Sequence, residues 1–304
     1  MAKLSDRIET VLNESRMLLL GGQVLLGFTY RICFETAFDK LPPLAQYIEL
    51  FSLSAVTLGL SCLLWPATFH RIAEHGWQTQ RVHRFTNTVL DWSLLPFCIA
   101  LGLSFYPVCV AMRVPHAAEI STAAFVVALG AWYGAGILQR RSGVRERLEP
   151  KLEQEQRKQP DDLSERIKKV LIECRMALPG AQAFLGFQFA IVFVDGFDKL
   201  PRSSQYVHFA SLISMTLAIV LLITPAAYHR LAEAGEDTER FHGIASGLLL
   251  GGIALLAPGM AGELYIVMAK ITHSVPLSVG VSVALLVACY VFWFGVSWLK
   301  RRPV

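Results

Sequence analysis

Residues 16–42 read RMLLLGGQVLLGFTYRICFETAFDKLP, and residues 175–201 read RMALPGAQAFLGFQFAIVFVDGFDKLP. The second stretch restores Arg16, Met17, Gly21, Gln23, Gly27, Phe28 and the run Phe38-Asp39-Lys40-Leu41-Pro42, all 159 positions later. Working outward, the match runs without a gap from Leu4–His83 onto Leu163–His242, with about half of the paired residues identical. Shared hydrophobicity does not produce agreement at that level over such a length; a duplication does. The chain divides accordingly into a first copy over residues 1–141, a joining segment over 142–162 and a second copy over 163–304.

Each copy is too apolar for a soluble domain. Hydrophobic residues make up 54% of the chain and charged ones 17%, and the mean hydropathy is +0.45. Apolar stretches long enough to cross a hydrocarbon core of ~30 Å recur along it. In the first copy these are 17–34, 44–65, 86–112 and 120–138; in the second, 176–193, 204–224, 244–269 and 275–299. The expected fold is an all-α integral membrane protein of about eight transmembrane helices, as two parallel four-helix repeats. Charges fall mainly between the runs, against a soluble bundle, and the runs lack the alternation of strands.

Lys and Arg set the expected orientation. Arg71, Arg81, Arg84, Arg140, Arg141, Arg230, Arg240 and Lys300 lie on one set of loops, against a sparser Lys40, Arg113, Lys199, Arg202 and Lys270 on the other. Both termini are therefore expected in the cytoplasm, with no cleaved leader, since Asp6, Arg7 and Glu9 interrupt any early apolar core. The modest net charge of +4 is spent on loops, so nucleic acid is not an expected partner. Cys33, Cys62, Cys98, Cys109, Cys174 and Cys289 show no metal or redox spacing and read as small core residues.

Within each copy a short amphipathic segment comes first. Ser5 and Ser164 are its expected caps, and Ile167, Val170 and Leu171 form an apolar face suited to the membrane surface. The joining segment, rich in Glu, Arg, Lys and Gln, reads as a solvated cytoplasmic linker and a possible docking point for a protein partner.

Three groups of polar residues are candidates for function. Gln23 and Gln182, with the unshared intramembrane carboxylates Asp91 and Glu263, form a candidate polar path, because a polar side chain in hydrocarbon needs a partner. His70, Glu74 and His83, repeated as His229, Glu233 and His242, form a rim at which two imidazoles and a carboxylate can relay protons or hold a divalent metal. Asp39 and Lys40, repeated as Asp198 and Lys199, sit in the loop before the second span, as a turn that starts the helix or an ion gate. His208 lies deeper, with Glu49 at its matching position, so paired axial histidines for a haem are not evident. No cofactor is expected.

The pattern G-x-Q-x-x-x-G-F, then F-[DE]-x-L-P, then P-x-x-x-H-R followed by G-x-x-T-x-R, resembles a bacterial family of four-span membrane proteins of unknown function. The resemblance implies a tandem fusion of two such units in a bacterial inner membrane. Some family members carry a sodium:proton antiporter label, without established ion-binding residues. Together these readings favour a small-solute or cation/proton-linked transporter. A membrane scaffold or accessory subunit, and a haem- or quinone-linked redox module, are the alternatives. Hydrolases and kinases are excluded by the lack of a nucleophile elbow, phosphate loop or H-E-x-x-H motif.

Overall fold

The computed structural model describes residues 4–77, 79–140, 162–233 and 236–301, and among these all regular structure is helical. Helices α1 (Leu4–Ile32), α2 (Pro43–Ala73), α3 (Gln80–Ala111) and α4 (Ala117–Arg140) form the first copy. The second comprises α5 (Leu163–Ile191), α6 (Arg202–Leu231), α7 (Glu239–Thr272) and α8 (Val275–Tyr290), the last continuing through a π turn at Val291–Val296. Among the described residues seven helices, α2 to α8, are long and apolar enough to cross a membrane. In α1 Arg16, Gln23 and Arg31 dilute the apolar run. The chain is a multi-pass, membrane-type bundle, and Phe193, Tyr206, Phe209 and Val127 are exposed on its rim, as lipid-facing residues should be.

The two copies meet along α1 and α5. Here two glycines matter: a Cβ on Gly180 would collide with Gln23 Oε1, and one on Gly27 with the Phe187 ring. Phe28 and Phe187 meet edge to face at 4.6 Å, and further along Phe34 backs onto Gly196. Contacts that climb both helices in the same order mean that α1 and α5 run parallel. The copies therefore stand the same way up, as the repeat implies. The described chain ends share one face, called proximal below: the Arg81 guanidinium donates to the Lys300 carbonyl at 3.1 Å, and Arg166, near the start of α5, reaches the His75 carbonyl.

The copies also exchange contacts sideways. The π turn rotates Trp293 into the core, where its Nε1 donates to the Ser61 carbonyl of α2 at 2.8 Å. Phe292 packs on Trp65 beside it. By contrast α4 packs on α3 and is largely exposed, with Ser121 donating to the Gly102 carbonyl at 2.7 Å.

Two local expectations are corrected. The amphipathic segments are not separate surface helices. Each is continuous with the following span, and Ile167 and Val170 are buried in the protein because α5 packs across the copy interface. The cap of α5 is Asp162, which accepts from the Leu163 backbone, while Ser164 lies inside the helix. The remainder of the joining segment, residues 142–161, lies outside the described residues.

Candidate functional site

Close packing of α6 on α7 creates the most unusual environment in the bundle. Gly259 faces Met215, and a Cβ on Gly262 would lie 2.0 Å from Ser211 Oγ, so the two helices nearly touch there. Glu263, next along α7, is thereby brought against His208, nearly one turn before Ser211 on α6. His208 Nδ1 lies 3.1 Å from Glu263 Oε1 and 3.2 Å from Oε2. Gln188 of α5 donates its amide to Glu263 Oε1 at 2.7 Å, and the Tyr30 hydroxyl of α1 donates to Oε2. Four helices from both copies thus converge on one carboxylate, and all four side chains are buried.

One hydrogen bond fixes the tautomer of His208. His208 Nε2 faces the Gln188 carbonyl oxygen at 3.1 Å. A carbonyl only accepts, so Nε2 carries hydrogen. Nδ1 then faces Glu263 either as the N–H of an imidazolium or as the acceptor of a protonated carboxyl. Both arrangements place one proton between the two residues. A third arrangement has none, the Nδ1 lone pair then facing the Tyr30 hydroxyl 3.4 Å away.

Above the cluster, away from the proximal face, lies a cleft of about 600 Å³ between the copies. Its floor includes Ser204, one turn before His208 on α6, and Tyr265 of α7. Lys270, two turns after Glu263, reaches across to the first copy, where its Nζ donates to the Cys33 carbonyl and to Asp39 Oδ1, both at 2.5 Å. Lys199 lies 3.9 Å from the other Asp39 oxygen. Between cleft and cluster stands an aromatic layer. Phe34 packs on Tyr30 at 5.2 Å, and the Phe197 ring meets His208 edge-on at 4.9 Å.

A second polar network closes the proximal end. Glu173 of α5 is buried, held by His70 Nδ1 at 2.5 Å and by Arg71 Nε, which donates at 2.6 Å. Arg71 Nη1 lies 3.1 Å from His242 Nε2, and Arg166 Nη2 lies 3.4 Å from His242 Nδ1. Arg166 also donates to Glu239 and covers the Trp77 ring. Helices α2, α5 and α7 are thereby tied across the copies. At ~1.5 Å per residue this network lies roughly 22 Å below Gln188, whereas Lys270 stands only about 10 Å above Glu263. Apolar residues such as Phe184, Ala181 and Ala177 fill the longer interval.

The sequence candidates distribute unevenly over this geometry. Gln23 is buried at the α1–α5 contact, its Oε1 without a hydrogen-bond partner among the described residues, while Gln182 is exposed on the opposite side of α5, so the two do not face one another. Asp91 is exposed on α3, its backbone carbonyl accepting from Tyr133, whereas Glu263 is the centre of the buried cluster. At the rim, Glu74 accepts from Arg81, Asn87 lies 3.3 Å from His83, His229 lies 3.4 Å from Asp237, and Glu233 accepts from Thr238. No three His, Cys, Asp or Glu side chains among the described residues are placed to hold a metal. An imidazole wedged between two guanidinium groups, as His242 is, is poorly disposed to receive a cation. Asp39 faces lysines instead of capping α2, while Lys40 and Asp198 are exposed. The turn is clamped instead by Gln46, which donates to the Leu41 carbonyl, and in the second copy by Gln205 to Leu200.

Tyr30, Gln188, Glu173 and Lys270 carry much of this site and were not candidates from sequence. Glu49 is another: it is buried, and its Oε2 has no hydrogen-bond partner among the described residues. One signal could have found several of them. At the repeat offset Tyr30 matches Phe189, Gln188 matches Thr29, His208 matches Glu49 and Glu263 matches Ser104. Every member of the cluster sits where the copies disagree.

The family model DUF6328, described as a family of unknown function, matches the chain twice, over residues 2–135 and 155–297. The tandem duplication of an uncharacterised unit, read first from residues 16–42 and 175–201, is thereby established. No curated protein and no solved structure matches the chain.

Proposed function

We propose that this chain, which belongs to the family of unknown function DUF6328, is a proton-linked transporter whose proton site is the Glu263–His208 pair. The observation that supports the reading is the Nε2 contact of His208 with the Gln188 carbonyl, which leaves Nδ1 3.1 Å from the Glu263 carboxyl, where one proton can be shared. A proton held in an apolar core by groups from four helices is released when those helices move apart, which is what coupling requires.

The proximal face, rich in arginine, is the cytoplasmic one, and α1 completes eight crossings. The cleft then opens to the outside, separated from the proton site by the Phe34 and Phe197 layer. The inner end is shut by the Glu173 network and the apolar packing above it. This is an outward-open arrangement of two like-oriented units about one site. An inward state requires the ties from Glu173 to His70 and Arg71 to part. Tyr30 orients the carboxylate through its hydroxyl, and Gln188 holds both partners, one through its amide and one through its carbonyl.

The test is proton flux into liposomes loaded with a pH-sensitive dye, with candidate solutes supplied outside. Wild-type protein should acidify the lumen when solute and proton gradients are applied together, and Glu263→Gln should stop it. A folded wild-type protein that stays silent to all proton-linked solute gradients would make the cluster helix-to-helix glue and the protein a scaffold.

A further inference from the structure

We infer that the cleft above the proton site recognises a small organic anion with an apolar body, the solute that travels with the proton. This deepens the transport reading and rests on it for the direction of movement, though the binding site stands on its own geometry.

Charge decides the sign of the ligand. The cleft is lined by one carboxylate, Asp39, by two ammonium groups, Lys199 and Lys270, and by the His273 imidazole. Both Asp39 oxygens already face those lysines, at 2.5 and 3.9 Å. An incoming cation would meet two positive groups and a carboxylate already neutralised. An incoming anion instead competes with Asp39 for lysines with N–H groups to spare, since an ammonium has three. Lys270 is suited to this: it is pinned by the Cys33 carbonyl, and its ammonium lies 5.5 Å from the centroids of both the Phe34 and Phe38 rings. A cation so held loses little freedom when a ligand docks.

Shape and lining decide the rest. About 600 Å³ falls in the range of small-molecule pockets, and Phe38, Leu200, Tyr265 and Val275 contribute apolar wall to the cleft. The coupling is physically economical. A monoanion moving with one proton crosses the core as a neutral pair, whereas a bare anion would meet a large desolvation penalty. The same four-helix convergence that holds the proton lies one aromatic layer beneath the place where the anion docks.

The experiment is titration calorimetry of the full chain in phosphatidylcholine nanodiscs, with benzenesulfonate as the anion and phenyltrimethylammonium as its cationic counterpart. Saturable binding of benzenesulfonate is expected, with none of the cation. Lys270→Gln should weaken it roughly tenfold or more, equivalent to ~1.4 kcal/mol per decade. Lys199 is largely exposed, so Lys199→Gln should leave the fold intact and weaken binding about threefold. No saturable binding, preference for the cation, or unchanged affinity in both lysine variants would overturn the inference. So would displacement of the probe by phosphatidylglycerol in the nanodisc, which would make the cleft a lipid headgroup site. Proton flux without anion binding would remove this inference alone; anion binding in a protein that moves no protons would remove the transport reading alone.

Discussion

Neutralising Glu173 should strongly destabilise this protein at the proximal face. The side chains of Glu173 and Arg71 are each 1% exposed, and Arg71 Nε donates to the carboxylate at 2.6 Å. In Glu173→Gln the guanidinium stays charged and buried, and its nearest other group is the His242 ring, which does not neutralise it. Breaking a buried pair by removing one partner costs about 3–5 kcal/mol. At roughly 2–4 °C per kcal/mol for a chain of this size, the midpoint should fall by about 6–20 °C. Arg71→Met should cost a similar amount for the opposite reason. The double variant Glu173→Met with Arg71→Met leaves no orphan charge and should recover most of the loss, although His70 then lacks its partner. The assay is tryptophan-fluorescence melting in detergent at a fixed scan rate. Single variants that melt within about 2 °C of wild type, or a double variant whose loss equals the sum of the singles, would refute a coupled buried pair.

Other consequences can be checked in the same preparation. Glu49 buries an unpartnered carboxylate oxygen, so Glu49→Leu should raise the melting midpoint, and a fall would mean that the carboxylate has a structural partner. Gly27→Leu should separate α1 from α5, because a Cβ there already meets the Phe187 ring, whereas Gly21→Leu should be tolerated, having open space around it. Cysteine cross-linking between α1 and α5 distinguishes the two, and equal effects would contradict the register described. Tyr30→Phe should keep the fold, since only one hydroxyl is lost from a packed ring, but slow proton flux roughly tenfold, as expected when a positioned hydrogen bond is removed. Unchanged flux would confine Tyr30 to packing.

The architecture was legible because a duplication repeats its constraints. Gln46 and Gln205 perform the same local task in each copy, clamping the turn before the second span, so the sequence shows it twice. The site was legible only in part, and for the converse reason. The cluster is built from Tyr30, Gln188, His208 and Glu263, each of which has a different residue at the matching position of the other copy. Searching for what the copies share favours Gln182, which is exposed, over Gln188, which is buried one turn and a half further along the same helix. Glu263 stood out because a carboxylate in an apolar run is conspicuous by itself. Its partners did not, since pairing across four helices depends on crossings that no local pattern encodes. The rim histidines were readable as residue types but not as neighbours: His70 meets Glu173 and His242 meets Arg71 only because α2, α5 and α7 converge across the copies.

The most direct test is whether Glu263 holds a proton that the folded protein can release. Infrared difference spectroscopy between low and high pH, on nanodisc-embedded protein carrying Glu49→Gln to silence a buried carboxyl with an unpartnered oxygen among the described residues, reports this through the C=O stretch of a protonated carboxyl in an apolar setting. The account predicts a pH-dependent change in that region, coupled to imidazole bands, which disappears when Glu263→Gln is added and shifts in His208→Gln. A spectrum that Glu263→Gln leaves unchanged would contradict it.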